Sequence, residues 1–266
     1  DIHGGSKALI QLLHKMEIKD ADTLIFVGDY VDGWSESAQV IQFLIELSQK
    51  INCVFIKGNH DVWCEDWLRD DDVNPIWYMH GGKETIDSYV AFSEDKKIEH
   101  LKFFESMPLY HIDDKNRLFV HAGFTSMHGV EKEVFKANFY FDRTLWEMAL
   151  TMDESIDKDS TIYPNRLKHY HEIYIGHTPT INFKVDNKNI AITTIVKSSV
   201  NPIWSINGTS TKRGDVDHPF GATLKYIAIG IEANAPIIAA LFVVFFQNKP
   251  NKKTAKIPGL TIPVYS

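Results

Sequence analysis

Five short turns in this 266-residue sequence carry residue types that bind divalent metals. Each turn contains a glycine and places Asp, Asn or His close to it. In chain order they are Asp1-Ile2-His3-Gly4, Gly28-Asp29-Tyr30-Val31-Asp32, Gly58-Asn59-His60-Asp61, His121-Ala122-Gly123 and Gly176-His177-Thr178-Pro179. Four of the five follow an apolar run that predicts a buried strand. Because ligands bind beyond the carboxyl ends of strands in open α/β sheets, we expect the turns to meet at one sheet edge.

The donor atoms of these turns are carboxylate oxygen, amide oxygen and imidazole nitrogen. This set suits a borderline or moderately hard divalent ion such as Mn, Fe, Zn or Ni. The turns offer no thiolate for a structural zinc site, and they supply more ligands than one tetrahedral ion accepts. Two ions about 3.5–4 Å apart with a shared carboxylate use the whole set, so the turns predict a two-metal site.

The segments between the turns indicate alternating strands and helices. Apolar residues recur at helical spacing over residues 6–18 and 35–50, and Ser35 or Ser37 is expected to cap the second helix. Short apolar runs predict strands at residues 23–27, 52–56, 118–120 and 173–175. Strand, helix and strand at this length indicate a βαβ unit with a parallel pair.

The remaining chain divides into an insertion and a less patterned last third. Residues 64–107 are polar and rich in Trp and acids, which predicts a helical insertion over the sheet. We assign residues 1–181 to the catalytic core and residues 182–266 to the C-terminal part of the same domain. Residues 235–246 are strongly apolar but shorter than the ~20 residues of a membrane-spanning helix, so a buried strand or helix is favoured there.

Composition narrows the expected partners and compartment. The formal net charge is −7 with both signs interspersed, which argues against a nucleic-acid or anionic-membrane binder. Cys53 and Cys64 are the two cysteines, and a cysteine inside a predicted strand disfavours a disulfide framework. We therefore expect a cytoplasmic protein with no membrane partner, and leave the oligomeric state open. The sequence begins at Asp1 without Met, so we expect a preceding segment to be missing.

The order of the motifs D-x-H-G, G-D-x-V-D, G-N-H-D, H-A-G and G-H-T-P resembles the calcineurin-like metallophosphoesterases. It is most similar to their bacterial PPP-type phosphoprotein phosphatase branch, over residues 1 to about 180. The resemblance implies an α/β fold with a two-sheet β-sandwich core flanked by helices. It also implies a strand before D-x-H-G, which this sequence lacks.

The resemblance assigns roles to individual residues. The implied ligands are Asp1 and His3 for the first metal, Asp29 as the bridge, and Asn59, His121 and His177 for the second. His60 would be the general acid at the leaving-group oxygen, oriented by Asp32, and Asn59 would also face the phosphate. The cofactors would be two divalent ions, with manganese as first choice and Fe, Zn or Ni as alternatives.

One position departs from the family pattern. Eukaryotic members read G-D-x-V-D-R-G, whereas Gly33 stands here where that arginine would be. Arg143 is the expected replacement, because a bidentate guanidinium suits phosphate. A surface ion pair with Asp142 or Glu147 is the alternative for Arg143.

The implied activity is hydrolysis of phosphate monoesters by metal-activated water, on phosphoserine, phosphothreonine or phosphotyrosine of a protein or on a small phosphoester. Two alternatives stay open: symmetrical hydrolysis of dinucleoside tetraphosphates, and a non-catalytic module that binds metal or phosphate. An aromatic slot of purine size in the insertion would favour the dinucleotide.

Several other residues are candidates for packing or the cleft. His80 is expected to line the substrate cleft if its His-Gly-Gly turn faces the site, and Asp61 is expected to cap the next helix. Packing is the expectation for Trp63, Trp67 and Trp77. The remaining histidines are expected at the surface: His14, His100, His111, His128, His169, His171 and His218.

Overall fold

A computed structural model describes residues 1–16, 18, 22–153 and 155–178, together with six strands between residues 183 and 247. The strands are β1 Thr23–Phe26, β2 Asn52–Phe55, β3 Tyr110–Ile112, β4 Arg117–Val120, β5 Glu172–Ile175, β6 Phe183–Val185, β7 Lys188–Ile190, β8 Thr194–Lys197, β9 Gly214–Asp217, β10 Thr223–Gly230 and β11 Ala240–Gln247. The helices are α1 Ser6–Lys15, α2 Ser37–Ser48, α3 Asn59–Asp70, α4 Pro75–Trp77, α5 Lys83–Tyr89, α6 Glu94–Glu105, α7 Asn138–Phe141, α8 Thr144–Thr151 and α9 Asn165–Lys168. A π-helical turn, Tyr78–Gly82, joins α4 to α5.

Two mixed sheets form the centre of the fold. The first has the order β2-β1-β11-β10-β9, and the second has the order β3-β4-β5-β8. The pairs β1–β2 and β4–β5 are parallel. The turns that follow the two strands of each pair therefore lie at the same edge of the sheet. The α/β fold with a two-sheet core and flanking helices is as predicted, and the parallel pair of the βαβ unit is present.

Each sheet has its own apolar core. Leu9 and Leu12 of α1 and Ile41 and Leu44 of α2 are buried against the first sheet in one cluster. A second cluster joins β4 and β5 to α8 and α9. The helical spacing read from the sequence therefore selects the buried faces of α1 and α2 correctly.

The predicted cap of α2 is wrong. The N-cap residue is Glu36, and its side chain makes no capping hydrogen bond. The hydroxyl of Ser37 instead accepts a hydrogen bond from the backbone N of Asp32 at 3.0 Å. The Ser37 hydroxyl is therefore engaged in a tertiary hydrogen bond and is not used to cap the helix.

The late part of the chain completes both sheets. Most of β11 falls in the apolar run at 235–246, and this strand lies between β1 and β10 with Thr23 opposite Phe246. Strand β8 pairs with β5 in the second sheet. His218, which is predicted at the surface, lies outside the described residues. None of the described helices is both long and apolar enough to cross a bilayer.

Candidate active site

Backbone hydrogen bonds bring the five predicted turns together. Ile2 N and His3 N donate to Asp29 O at 2.7 and 3.0 Å, which joins the start of the chain to the turn after β1. Gly176 N donates to His121 O at 2.7 Å, which joins the turns after β5 and β4. The turns after β1 and β2 are held together by Asp61.

Asp61 is the anchor between these two turns. Its Oδ2 accepts from Gly58 N and Asp29 N, both at 2.8 Å, and its Oδ1 accepts from Tyr30 N at 2.9 Å. The first of these bonds caps α3, as expected for this residue, and the other two fix the backbone around Asp29. Burial raises the pKa of Asp61 to about 6, and the neighbouring Asp29 carboxylate adds to the effect.

Two groups of candidate ligands share one carboxylate. The first group is His3, Asp29 and His60, and the second is Asp29, His121 and His177. Within each group the candidate ligand atoms lie within 4.8 Å of one another. Asp29 is 3% exposed and belongs to both groups, which is the arrangement that a pair of adjacent metal ions requires.

The imidazoles of His3 and His121 have one nitrogen engaged by a backbone carbonyl. His121 Nδ1 lies 2.7 Å from Val27 O, and His3 Nδ1 lies 3.2 Å from Val31 O. Because a carbonyl only accepts, Nδ1 is the protonated nitrogen in each ring, and Nε2 carries the free lone pair. His121 Nε2 lies 3.2 Å from Asp29 Oδ2. A bond from Nδ1 to a carbonyl fixes the direction of the ring, so that Nε2 faces the position of a metal.

Asn59 and Asp1 lie beside the second group. Asn59 Oδ1 is 3.2 Å from His121 Nε2 and 3.0 Å from His177 Nδ1. Asp1 Oδ1 is 4.0 Å from His121 Nδ1 and is buried without a hydrogen-bond partner. A buried carboxylate oxygen without a partner is costly unless a cation satisfies it. The residues present therefore fit a pair of divalent ions.

The charges of the site suit a cation. Burial alone would raise the pKa of Asp29, but the imidazoles of His121, His60 and His3 outweigh it and hold that pKa well below its usual range. Burial lowers the pKa of His3 to about 4 and that of His177 to about 3. Neutral imidazole and ionised carboxylate are the forms that bind metal.

His60 differs from the other site histidines because it faces a second carboxylate. His60 Nδ1 lies 2.5 Å from Oδ2 of Asp32, which is completely buried. Burial alone would lower the pKa of His60, but the carboxylates of Asp29 and Asp32 raise it to about 9. His60 can therefore carry a proton that its neighbours His3 and His177 do not hold.

The backbone around the site is unusual. Six non-glycine residues in the described part of the chain have positive φ, and four of them are His3, Asp29, Asp32 and His177. Such conformations are uncommon and cluster at functional sites. Gly28 has φ +103°, and a Cβ there would lie 2.6 Å from His121 Nδ1. Only glycine lets the turn after β1 pass so close to this imidazole.

Arg143 reaches the second group of ligands. Its Nε lies 3.5 Å from His177 Nε2, and the side chain is exposed. Asp142, the alternative ion-pair partner, instead accepts from the backbone N of Thr144 and Leu145 and faces Arg166 at 3.7 Å. The predicted proximity of Arg143 to the site is therefore present.

Trp63 and Phe141 form what we call the aromatic rim of the site. The Trp63 ring centroid is 5.3 Å from that of His60 and 5.8 Å from that of Phe141. Phe141 is 43% exposed, and its ring centroid lies 6.3 Å from that of His177. Trp67 and Trp77 are buried and pack on each other, as expected. The aromatic surface beside the site is thus assembled from two distant segments and not from the tryptophans of the insertion.

Sequence reasoning missed three roles in the insertion. Trp77 Nε1 donates to Asp32 Oδ2 at 2.8 Å, and Thr85 Oγ1 donates to Asp32 Oδ1 at 2.6 Å. These residues are 45 and 53 positions from Asp32, and no spacing rule links them. His100, predicted at the surface, is completely buried, because Tyr89 and Gln42 satisfy its ring nitrogens. His80 is exposed, on the turn that follows Trp77.

A comparison with protein families decides the identity of the fold. The profile of the calcineurin-like phosphoesterases matches residues 1–196. The chain belongs to this family. Calcineurin-like phosphoesterases are metal-dependent hydrolases of phosphoesters with a dinuclear divalent metal centre.

Three curated relatives carry the same name. The chain is 30% identical over 214 residues to the asymmetrical bis(5'-nucleosyl)-tetraphosphatase PrpE of Oceanobacillus iheyensis, covering 73% of this chain and 81% of that protein. It is 26% identical to the protein of the same name from Geobacillus sp., covering 73% and 82%. It is 30% identical to the protein of the same name from Halalkalibacterium halodurans, over 46% of this chain and 54% of that protein.

Two solved structures match part of the chain. A crystal structure titled as a putative diadenosine tetraphosphatase has a TM-score of 0.38 at 23% identity, covering 51% of this chain and 53% of that one. A Saccharomyces cerevisiae serine/threonine phosphatase has a TM-score of 0.47 at 17% identity, covering 68% and 60%. The curated relatives described above are named as nucleotide tetraphosphatases, so they do not support the protein-phosphatase branch that the motifs predicted.

Proposed function

We propose that this calcineurin-like phosphoesterase hydrolyses dinucleoside tetraphosphates with two divalent metal ions. The observation that carries the proposal is the pair of ligand groups sharing Asp29, with the His60–Asp32 pair at their edge. The names of the relatives support the substrate class. Manganese remains the first choice of metal.

The proposed ligands follow the two groups. His3 and Asp29 would hold the first ion. Asp1, which lies beside His121 of the second group, would complete the first site by turning its unsatisfied Oδ1 to that ion. Asp29, Asn59, His121 and His177 hold the second. Bound ions of this kind supply an activated water and neutralise the charge of the phosphoryl oxygens.

The chain's own residues complete the reaction. His60, held at Nδ1 by Asp32, presents Nε2 and donates its proton to the leaving phosphate oxygen. Although His60 lies within reach of the first group of ligands, its bond to Asp32 and its raised pKa favour the role of acid. Arg143 binds the phosphate chain, and Asn59 faces the phosphate being cleaved.

The aromatic rim gives a dinucleotide something to bind besides phosphate. Phe141 exposes part of its ring within two residues of Arg143. A base stacked on this ring would place its phosphates next to the guanidinium and the ligand groups. Stacking of one base on an aromatic side chain contributes about 1–3 kcal/mol, so the rim favours a nucleotide over a simple monoester.

The first test is a substrate panel. The protein is stripped of metal, reloaded with Mn²⁺ and given diadenosine tetraphosphate, p-nitrophenyl phosphate and a phosphopeptide. We expect Mn²⁺-dependent turnover with a higher kcat/KM on the dinucleotide. Products of unequal phosphate number are expected, in agreement with the relatives' name and against the symmetrical cleavage that the motifs suggested. Preference for the phosphopeptide would overturn the proposed substrate class, and bound metal without turnover of any ester would overturn the proposed enzyme.

Phe141→Leu sharpens the test. Loss of the ring should raise KM for diadenosine tetraphosphate about tenfold and leave KM for p-nitrophenyl phosphate unchanged. Phe135→Leu is the matched control, because Phe135 is 70% exposed and has no described ring contact with the site. An equal change of KM for both substrates would remove the rim from base binding.

A further inference from the structure

Both carboxylate oxygens of Asp32 are held by the insertion. Trp77 Nε1 donates to Oδ2 at 2.8 Å, and Thr85 Oγ1 donates to Oδ1 at 2.6 Å. His60 Nδ1 approaches the same Oδ2 at 2.5 Å. Asp32, Trp77 and Thr85 are each completely buried, so water does not compete for these bonds.

Thr85 also fixes the backbone that carries this carboxylate. Asp32 has φ +72°, a conformation that a non-glycine residue keeps only when its surroundings impose it. The backbone N of Asp32 donates to Thr85 Oγ1 at 2.9 Å and to Ser37 Oγ at 3.0 Å. Thr85 therefore binds Asp32 twice, once at its backbone and once at its side chain.

The turn after Trp77 closes over the same place. Gly81 has φ +103°, and a Cβ there would lie 3.1 Å from the Cβ of Asp32. The insertion thus touches Asp32 from two sides without contributing one of the proposed metal ligands. Among the described residues, its hydrogen bonds to the site are those to Asp32, the residue that holds His60.

We propose that Trp77 and Thr85 are positioning residues for His60: they lock the Asp32 carboxylate so that the imidazole presents Nε2 to the leaving group. This inference rests on the acid role proposed for His60. With the indole bond lost, the carboxylate turns more freely about its Cβ–Cγ bond, and His60 loses its fixed direction. Metal binding stays intact, because none of these contacts reaches Asp29 or Asn59.

The first test reads the His60–Asp32 bond directly, without turnover. The proton between His60 Nδ1 and Asp32 should give a downfield ¹H resonance in the metal-free protein, assigned by its absence in His60→Ala. We expect Trp77→Phe, which keeps most of the ring volume, and Thr85→Val, which keeps the shape, to broaden or shift it. Thr85→Ser keeps the hydroxyl that Thr85→Val removes, so it should keep the resonance.

The second test is the dependence of rate on the leaving group. Trp77→Phe should lower kcat for phenyl phosphate about tenfold, the usual consequence of losing a hydrogen bond to a charged group. The rate with dinitrophenyl phosphate should stay near the wild-type value, because that leaving group needs little protonation. Mn content should not change.

Trp67→Phe is the matched control. Trp67 packs on Trp77 with ring centroids 5.8 Å apart, but Asp32 receives its indole bond from Trp77. This variant should keep the resonance and the rates. In a His60→Ala background, Trp77→Phe should cost nothing further, because residues that act through one group are not additive.

The outcomes separate the two proposals. An unchanged resonance in both Trp77→Phe and Thr85→Val overturns the positioning role. So does loss of bound Mn, or an equal loss of rate with both leaving groups. If Trp77→Phe fails to fold, Thr85→Val and Thr85→Ser decide the question alone. Failure of the wild-type protein to hydrolyse any ester would instead remove the proposed function while the resonance still reports the contact.

Discussion

The two sides of the site are held in different ways. On the metal side, the turns after β1, β4 and β5 fix His121 through Val27 O and Gly176 N, so short backbone bonds position the ligands. On the acid side, His60 is held by Asp32, which is held in turn by side chains of the insertion. Both sides thus depend on contacts between distant segments: backbone groups of the turns make them on the metal side, and side chains of the insertion make them on the acid side.

Because of this difference, metal binding and the proton donation by His60 should respond to different mutations. A change in the insertion can alter the direction of His60 and leave the ligand groups in place. A change in the turns cannot do this, because Asp29 belongs to both groups and its Oδ1 accepts the backbone N of His60 at 3.1 Å. The following experiments test how complete this separation is.

The largest effect is expected from Asp29→Ala, which removes the residue shared by the two sides. Loss of one stabilising donor in an active site lowers kcat by roughly 10²–10³-fold, and Asp29→Ala should lower it by more than that. Metal analysis should show both ions lost. Asp72→Ala, at an exposed acid of the insertion, is the control. Retention of one ion at full occupancy would contradict the shared role of Asp29.

His60→Ala isolates the acid side. Loss of a general acid should lower kcat by about 10²–10⁴-fold for substrates with poor leaving groups. The metal content should equal that of the wild type. If metal is lost together with activity, His60 is a ligand of the first group and the two sides are not separable.

His100→Gln tests a buried histidine that lies away from the ligand turns. His121 serves the ligand turns, whereas His100 lies inside the insertion, with Tyr89 OH 2.9 Å from Nδ1 and Gln42 Oε1 3.2 Å from Nε2. Burial lowers the pKa of His100 to about 4. A group with a depressed folded pKa stabilises the fold fully above its unfolded pKa of about 6.5 and loses that contribution as pH falls toward 4.

Wild-type protein should therefore lose about 2–3 kcal/mol of stability between pH 6.5 and 4 relative to His100→Gln. Denaturant unfolding at several pH values measures this difference. His14→Gln, at an exposed position of α1, should show the wild-type pH dependence. Parallel stability curves for wild type and His100→Gln would show that His100 does not report on the insertion.

Arg143→Lys should have the smallest effect, because it acts at the exposed edge of the metal side. Replacing the fork of the guanidinium by a point charge should raise KM for diadenosine tetraphosphate about three- to tenfold, with kcat nearly unchanged. Steady-state kinetics measures both constants. Arg69→Lys, in the exposed ion pairs of α3, should match the wild type. A fall in kcat without a rise in KM would move Arg143 from substrate binding to the reaction step.

Much of the fold followed from apolar spacing. The buried faces of α1 and α2 and the strands before four of the turns were predictable, because burial imposes periods of 3.6 and 2 on the sequence. The strand β11 was not distinguishable from a helix, since a short apolar run has no period of its own. The curated relatives do not support the protein-phosphatase branch predicted from the motifs, because the five motifs describe the metal chemistry and not the substrate.

The sequence by itself determined which residue types stand at the strand ends, and so the metal chemistry. Asp29, Asn59, His121 and His177 follow β1, β2, β4 and β5, strands that the apolar runs of the sequence predict. Only the tertiary structure decided how His60 is aimed. Asp32, Trp77 and Thr85 meet because α4 and α5 fold back over the turn after β1, and no local propensity encodes a contact across 45 or more residues. Tertiary contacts also explain two predictions that were wrong. Ser37 binds the backbone of Asp32 and does not cap α2, and His100 is buried. In both cases the polar group found its partner in a segment distant in sequence.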